Sequence, residues 1–244
     1  MITLHTYPHA FGQLSASPFC VKAMWLLNMS GQSWEREDLK DPRKMPKQKL
    51  PVISTGDELI PDSDDIRTRL EELGADFDSG LSDMEKATSR AFIRMAEEHL
   101  YFHLVLDRWG NDVVWPTIRD TYFDEIPGLL RGLISGKLRK EVLRGMNTQG
   151  LGRLSDTELM ARIEPDLQAI TTRLWQGRFL FGERPTAADA SVAAMLAGMR
   201  ATPVKTMLQR RIAKDEVLCR YIGRATDAMS ARQQPTAASV SLCA

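Results

Sequence analysis

The sequence predicts an α/β unit over residues 1–76 followed by an all-helical bundle over residues 83–232, with a small, polar, disordered tail at 233–244. Three observations carry this reading. Short alternating runs of strand type occur only before about residue 61. Helix start signals recur from residue 82 onward. The composition shifts sharply between residues 75 and 82, where a domain boundary is expected.

The first unit reads in the order strand, helix, strand, strand, strand, helix. "ITLHTY" alternates apolar Ile2 and Leu4 with polar neighbours and forms a short strand. A loop containing Pro8 and Gly12 leads to "SASPFCVKAMWLL". There Pro18 suits the first helical position, where its missing N–H is harmless, and it pushes Ser17 into the extended backbone of an N-cap. Phe19, Ala23, Leu26 and Leu27 then share one face, and Gly31 ends the helix. "SWEREDL" is a weakly patterned second strand, whereas "LPVIS" and "ELI" form a hairpin turning at Gly56. "PDSDDIRTRLEELG" opens on a capping Asp62 or Ser63, repeats Ile66, Leu70 and Leu73 at helical spacing, and stops at Gly74.

In the second unit, Ser82 with Glu85 and Ser155 with Glu158 are capping boxes, and Thr186 with Asp189 caps another helix. A long helix is expected from residue 83 to about 108.

The 32 basic and 32 acidic residues cancel, which removes a global electrostatic argument for nucleic acid, and the basic stretches "KLRKEVLR" and "QRRIAK" read as solvated helix faces. The N-terminus lacks the pattern of a secretory signal and no apolar run reaches bilayer length, so a cytoplasmic protein without a membrane span is expected. Cys20, Cys219 and Cys243 form no CxxC pair and no metal-ligand spacing. "GLLRGLISGKL" lacks the spacing of a phosphate loop. Trp109, Trp115 and Trp175 read as core or interface packing.

A helix N-terminus offers unpaired amides and partial positive charge, so the start at Ser17 favours an anion such as a thiolate. The Ser17 oxygen can accept an amide bond as a cap, about 1 kcal/mol of helix stability, while its O–H points outward as a donor. Read alone, the pattern is a weak signal: about nine in ten such serines are plain caps. Pro51 opening a strand is a place for a cis peptide, or for an ordinary trans bond at a strand edge. Asp62 and Ser63 start a helix that could hold a carboxylate, or only cap it. His99, His103 and Asp107 at i, i+4 and i+8 could make a metal face, but a hydrogen-bonded stripe against the first domain is the preferred reading, and no metal is expected.

Together these elements resemble the glutathione S-transferase superfamily, with its thioredoxin-like N-terminal domain and helical C-terminal domain. The blocks "SPFCVKAMWLLNMSG", "DPRKMPKQKLPVI", "IPDSDDI", "RMAEEHLYFHLVLDRW", "QGLGRLS" and "FLFGERPTAADASVAAML" are similar, in the same order, to the branch containing failed-axon-connections and metaxin-related proteins. The resemblance implies glutathione as co-substrate, with Ser17 contacting its sulfur and Leu50 before a cis Pro51 pairing with the cysteinyl unit. It places Asp62 and Ser63 at the γ-glutamyl end and Lys49 near the glycyl carboxylate. It makes the Thr186–Asp189 block a folding cap and implies a homodimer, with the first domain of one subunit against the helical domain of the other.

Leu154 stands where the branch commonly has histidine. Tyr7 is the only nearby tyrosine, which makes Ser17 the thiol donor, with Ser15 in reserve. A small hydrophobic electrophile would lie between the domains, beside the long helix and "VVWPTIRDTYF". The competing functions are a non-catalytic adaptor, as for interaction proteins of that branch, and thiol exchange through Cys20, which lies one turn into the helix where cysteines are commonly buried.

Overall fold

The computed structural model describes residues 1–231; the tail expected at 233–244, and Cys243 with it, lie outside the described residues. The first unit is β1 (Ile2–Thr6), α1 (Pro18–Met29), β2 (Trp34–Asp38), β3 (Val52–Thr55), β4 (Glu58–Pro61) and α2 (Ser63–Glu72). Its sheet has the order β2-β1-β3-β4. β2 is parallel to β1, with Trp34 opposite Ile2, as a crossover through a helix requires. β3 lies antiparallel to β1 and forms a hairpin with β4. Gly56 has φ 63° in that turn, a region where a side chain would be strained.

The second unit begins with α3 (Asp83–Met95), which continues through a π segment (Ala96–Leu100), α4 (Tyr101–Val105) and a second π segment (Leu106–Gly110). Then come α5 (Trp115–Tyr122), α6 (Gly128–Gln149), α7 (Asp156–Leu174), α8 (Ala187–Arg200), α9 (Met207–Lys214) and α10 (Glu216–Ser230). The capping boxes at Ser82 and Ser155 form as expected. At α8, Thr186 N–H and O–H both donate to the buried Asp189 carboxylate, which also accepts from Leu180 N–H at 3.0 Å and Tyr221 O–H at 2.8 Å. Its desolvation is offset by those donors, which makes the block a folding element.

One hydrophobic core runs through both units, joining Leu4 of β1 and Leu26 of α1 to Ile66 of α2, Leu100 and Leu196 of α8. This corrects the expectation of a single apolar face on α1. Almost every residue from Pro18 to Asn28 is buried, because α1 packs on α2 and also against α8 and α10. Its polar residues are accordingly paired: Asn28 Nδ2 donates to the Met229 carbonyl at 2.9 Å. α8, rich in alanine and buried along its length from Ala187 to Met199, allows that close approach.

Trp109 and Trp115 pack together, with ring centroids 5.2 Å apart, while Trp175 is 75% exposed and stands outside the core. One further expectation changes. The basic stretches are not wholly solvated: Arg139 donates to the Trp109 carbonyl at 2.7 Å, and Arg211 pairs with Glu164 and Asp215.

Candidate active site

Three chain segments meet at one end of the sheet. β1 ends at Thr6, antiparallel β3 begins at Val52 opposite His5, and β4 ends at Pro61 opposite Val52. The loop to α1, the Leu50–Pro51 segment and the start of α2 therefore converge. The Leu50–Pro51 peptide is cis. Asp62 N–H donates to the Pro51 carbonyl at 3.2 Å, joining the second segment to the third. Cys20 packs with Leu50 and Val52, joining the first to the second. Ser17, Leu50, Pro51, Asp62 and Ser63 thus lie at the same end of the sheet, and Lys49, just before Leu50, is exposed.

Ser17 has the extended backbone of an N-cap, φ −106° and ψ 128°, and its carbonyl accepts from Cys20 and Val21 N–H. Its side chain, however, makes no capping bond, contrary to the reading that it does both jobs. The half-buried hydroxyl bonds instead to the Cys20 thiol in the first turn of α1. Ser15 is a brace and not a second donor: buried, it donates to the Tyr7 carbonyl at 2.9 Å and accepts from Thr6 Oγ1 and Ser17 N–H. Its one proton is already committed. Cys20 is fully buried, and desolvation pushes its thiol up despite the nearby hydroxyls of Thr6, Ser15 and Ser17. Burial likewise holds the Tyr7 phenol protonated, above its ordinary range.

At the third segment Asp62 is exposed and caps α2, its side chain accepting from Asp64 N–H at 2.9 Å, whereas Ser63 is buried. Asp62 adopts φ 76° and ψ 135°, a conformation strained for a residue with a Cβ. Asp64 ties this start to the helical unit through Arg90 at 2.8 Å and Arg94 at 2.5 Å. Burial raises its pKa, but the Arg90 hydrogen bond and the charges of Lys22, Arg90 and Arg94 win and hold the carboxyl below its usual range. Behind it, the fully buried Lys22 donates to Glu97 at 2.6 Å, and Ser191 O–H donates to the same oxygen at 2.8 Å. Sequence reading missed this pair, although a lysine inside the run "FCVKAMWLL" is its signal.

Beside this end of the sheet lie aromatic rings from both units and one buried arginine. Phe19 meets Tyr101 edge-on at 4.7 Å, and Phe11, Trp109, Tyr122 and Phe123 cluster around Trp115. Arg108 crosses from the second π segment to the Ala16 carbonyl at 3.2 Å. The expected polar stripe faces inward, within the helical unit and not against the first domain. His99 pairs with Asp166 of α7 at 2.5 Å, His103 Nδ1 meets the His99 carbonyl at 3.1 Å, and Asp107 faces Thr202 and Thr206. Among the described residues no group of three metal-ligating side chains comes together.

A family model described as the glutathione S-transferase N-terminal domain matches residues 18–114, and one for the C-terminal domain of the same family matches residues 149–216. The chain is 31% identical over 205 residues to isoprene-epoxide–glutathione S-transferase of Rhodococcus sp. strain AD45, covering 79% of this chain and 84% of that one. It belongs to the glutathione S-transferase superfamily. Within that superfamily it is similar to the metaxin-like branch: human metaxin-2 is 23% identical over 148 residues, 60% of this chain and 56% of that protein's length. A solved glutathione transferase from Phanerochaete chrysosporium shares the fold, with TM-score 0.60 and 18% identity over 93% of this transferase-family chain and 96% of the other. Among the described residues of this superfamily member, no helix is long and apolar enough to cross a membrane.

Proposed function

We propose that this protein is a glutathione transferase in which Ser17 stabilises the thiolate of bound glutathione for attack on a small hydrophobic electrophile. The observation that carries the reading is the convergence of Ser17, whose hydroxyl makes no capping bond and meets the Cys20 thiol, with Leu50, cis Pro51 and Ser63 at one end of the sheet. Leu50 presents its backbone to the cysteinyl unit, the start of α2 with Asp62 and Ser63 takes the γ-glutamyl end, and Lys49 reaches the glycyl carboxylate. A free thiol titrates near about 8.5, so a hydroxyl donor and a helix N-terminus raise the nucleophilic fraction at neutral pH. The sulfur then forms a bond to carbon, and the leaving oxygen or other group departs with the electron pair and takes a proton from water.

The name of the Rhodococcus relative makes an epoxide the first electrophile to offer. The rings of Phe11, Phe19, Tyr101 and Tyr122 are the apolar wall that would receive it. A homodimer in the cytoplasm belongs to the same proposal, and exposed Leu130, Leu133 and Ile134 on α6 are apolar surface that association could cover. Thiol exchange through Cys20 has little support, because that thiol is fully buried and held protonated. The similarity to metaxin-2 favours a second reading, a non-catalytic adaptor.

Calorimetric titration with reduced glutathione, followed by an epoxide turnover assay, separates the two. One-to-one binding and thioether formation support the transferase, and no binding at millimolar ligand makes the adaptor the better reading. Ser17→Ala should raise the pKa of the bound thiol by about one unit and lower turnover accordingly. Because no capping bond is lost, its stability should change by less than about 0.5 kcal/mol. Full activity in Ser17→Ala would reject Ser17 as the donor.

A further inference from the structure

Arg108 is 4% exposed, yet its guanidinium ends beside the loop that presents Ser17. Nη1 donates to the Ala16 carbonyl at 3.2 Å and to Tyr122 Oη at 3.0 Å, while Nη2 donates to the Gly198 carbonyl of α8 at 2.7 Å. The Tyr122 hydroxyl also donates to the Ala16 carbonyl, at 3.4 Å. Phe11, from the same loop, lies under the guanidinium with its centroid 5.2 Å from Cζ. Arg108 Nε has no partner although it is buried. A buried arginine with an unmet donor is costly as a packing element alone. The bare Gly198 lets this approach happen, since a Cβ there would lie 3.0 Å from Leu104 Cδ2 and 4.0 Å from Arg108 Nη2.

We propose that Arg108 is a positioning residue for the glutathione sulfur, clamping the Ala16–Ser17 peptide so that the Ser17 hydroxyl and the start of α1 face the thiol. This rests on the transferase reading. Ala16 is one peptide bond from Ser17, so the planar fork that grips its carbonyl fixes the orientation of the Ser17 N–H and Cα. The grip comes from the helical unit, whereas every other contact described for Ser17 comes from the first unit. Lysine could carry the same charge but could not reach Ala16, Tyr122 and Gly198 at once. The neighbouring Asp107 feels the Arg108 charge but spends its hydrogen bonds on Thr202 and Thr206, not on the fork. Tyr101 and Tyr122 approach from the long helix and α5, and burial keeps the Tyr101 phenol protonated, pushed up to about 12.

The test measures the pKa of glutathione's thiol in complex, by ultraviolet thiolate absorbance against pH, in the wild type, Arg108→Lys, Arg108→Met and Tyr122→Phe. Binding of S-methylglutathione, which has no ionisable thiol, is measured alongside. The wild type should lower the thiol pKa below its free value. Arg108→Met should raise it by about one unit, a tenfold loss of thiolate, and Arg108→Lys should fall between the two. Tyr122→Phe should raise it slightly, and S-methylglutathione affinity should change less than about threefold in all variants. Should Arg108→Met not fold, Arg108→Lys and Tyr122→Phe decide. Wild-type thiol pKa in both of those variants would overturn the clamp, as would an equal loss of both ligands, which marks a purely structural role. A wild type that binds glutathione and lowers its thiol pKa while the variants do the same rejects only the clamp. A wild type that binds none rejects the clamp and the transferase reading together.

Discussion

Replacing Lys22 by methionine should strip the interior of its central cation. Its Nζ sits 2.6 Å from Glu97 Oε1, with the two side chains 0% and 4% exposed. Glu97 would keep the Ser191 hydroxyl at 2.8 Å, a neutral donor that cannot replace an ammonium. Removing one partner of a buried ion pair costs about 3–5 kcal/mol, because the remaining charge is left uncompensated. Arg94 lies 3.7 Å from Glu97 Oε2 and is 38% exposed, so it can swing inward and offset part of the loss. The expected cost is therefore near the low end, about 3 kcal/mol, or a drop in Tm of about 6–12 °C for a chain of this size.

Lys22→Met combined with Glu97→Leu removes both charges and keeps the volume, so it should return to within about 1.5 kcal/mol of the wild type. Urea unfolding of the wild type, both single variants and the double variant forms the cycle that measures this coupling. A cost below about 1 kcal/mol for Lys22→Met would refute the reasoning, since Glu97 would then have to be hydrated. A double variant as unstable as the sum of its parts would refute it equally.

Two further outcomes concern single positions. At Asp62, φ 76° suits glycine, while the side chain accepts from Asp64 N–H, so Asp62→Gly should lose the cap and shed the strain, within about 0.5 kcal/mol of the wild type. Asp62→Ala keeps the strain, loses the cap and should cost about 1–2 kcal/mol more than the glycine variant by urea unfolding, whereas equal stability would show that the backbone there is relaxed. At His103, burial lowers the pKa, with the His99 charge adding to that effect. The folded state then binds a proton less readily than the unfolded chain, so stability is full above about pH 6.5 and falls as pH drops below it. Stability against pH for His103→Gln should show a shallower acid decline, and an unchanged decline would assign it to other groups.

The elements of the first unit were legible because each carries a local cause. Pro18 at the first helical position, Gly56 in the hairpin and Gly74 after α2 act within a few residues, and each marks its boundary in the structure. The candidate site was legible only through resemblance, since an N-cap serine, a strand-opening proline and an Asp-Ser pair each have an ordinary structural use. Ser17 illustrates the limit. Whether its hydroxyl caps α1 depends on where Ser15 Oγ and the loop backbone lie, which no local pattern encodes. The Lys22–Glu97 pair spans 75 residues, and only the docking of α1 against the helical unit brings its partners together.

The long helix shows how a local rule can mislead through its own geometry. On an unbroken α-helix, successive residues turn by roughly 100°, so His99, His103 and Asp107 would drift slowly along one stripe. Two π segments interrupt this helix, Ala96–Leu100 and Leu106–Gly110, and each takes about one residue more per turn than an α turn. Every inserted residue rotates the downstream side chains by roughly 100° relative to the α-helical expectation. His99 and His103 nevertheless stay together, with ring centroids 4.6 Å apart, and His99 reaches Asp166 of α7, while Asp107 faces Thr202 and Thr206. Arg108, inside the second π segment, reaches the Ala16 carbonyl at 3.2 Å, on the side where the first unit docks. An α-helical reading of the sequence therefore does not place the arginine that reaches the loop carrying Ser17, because the turn that carries it is irregular.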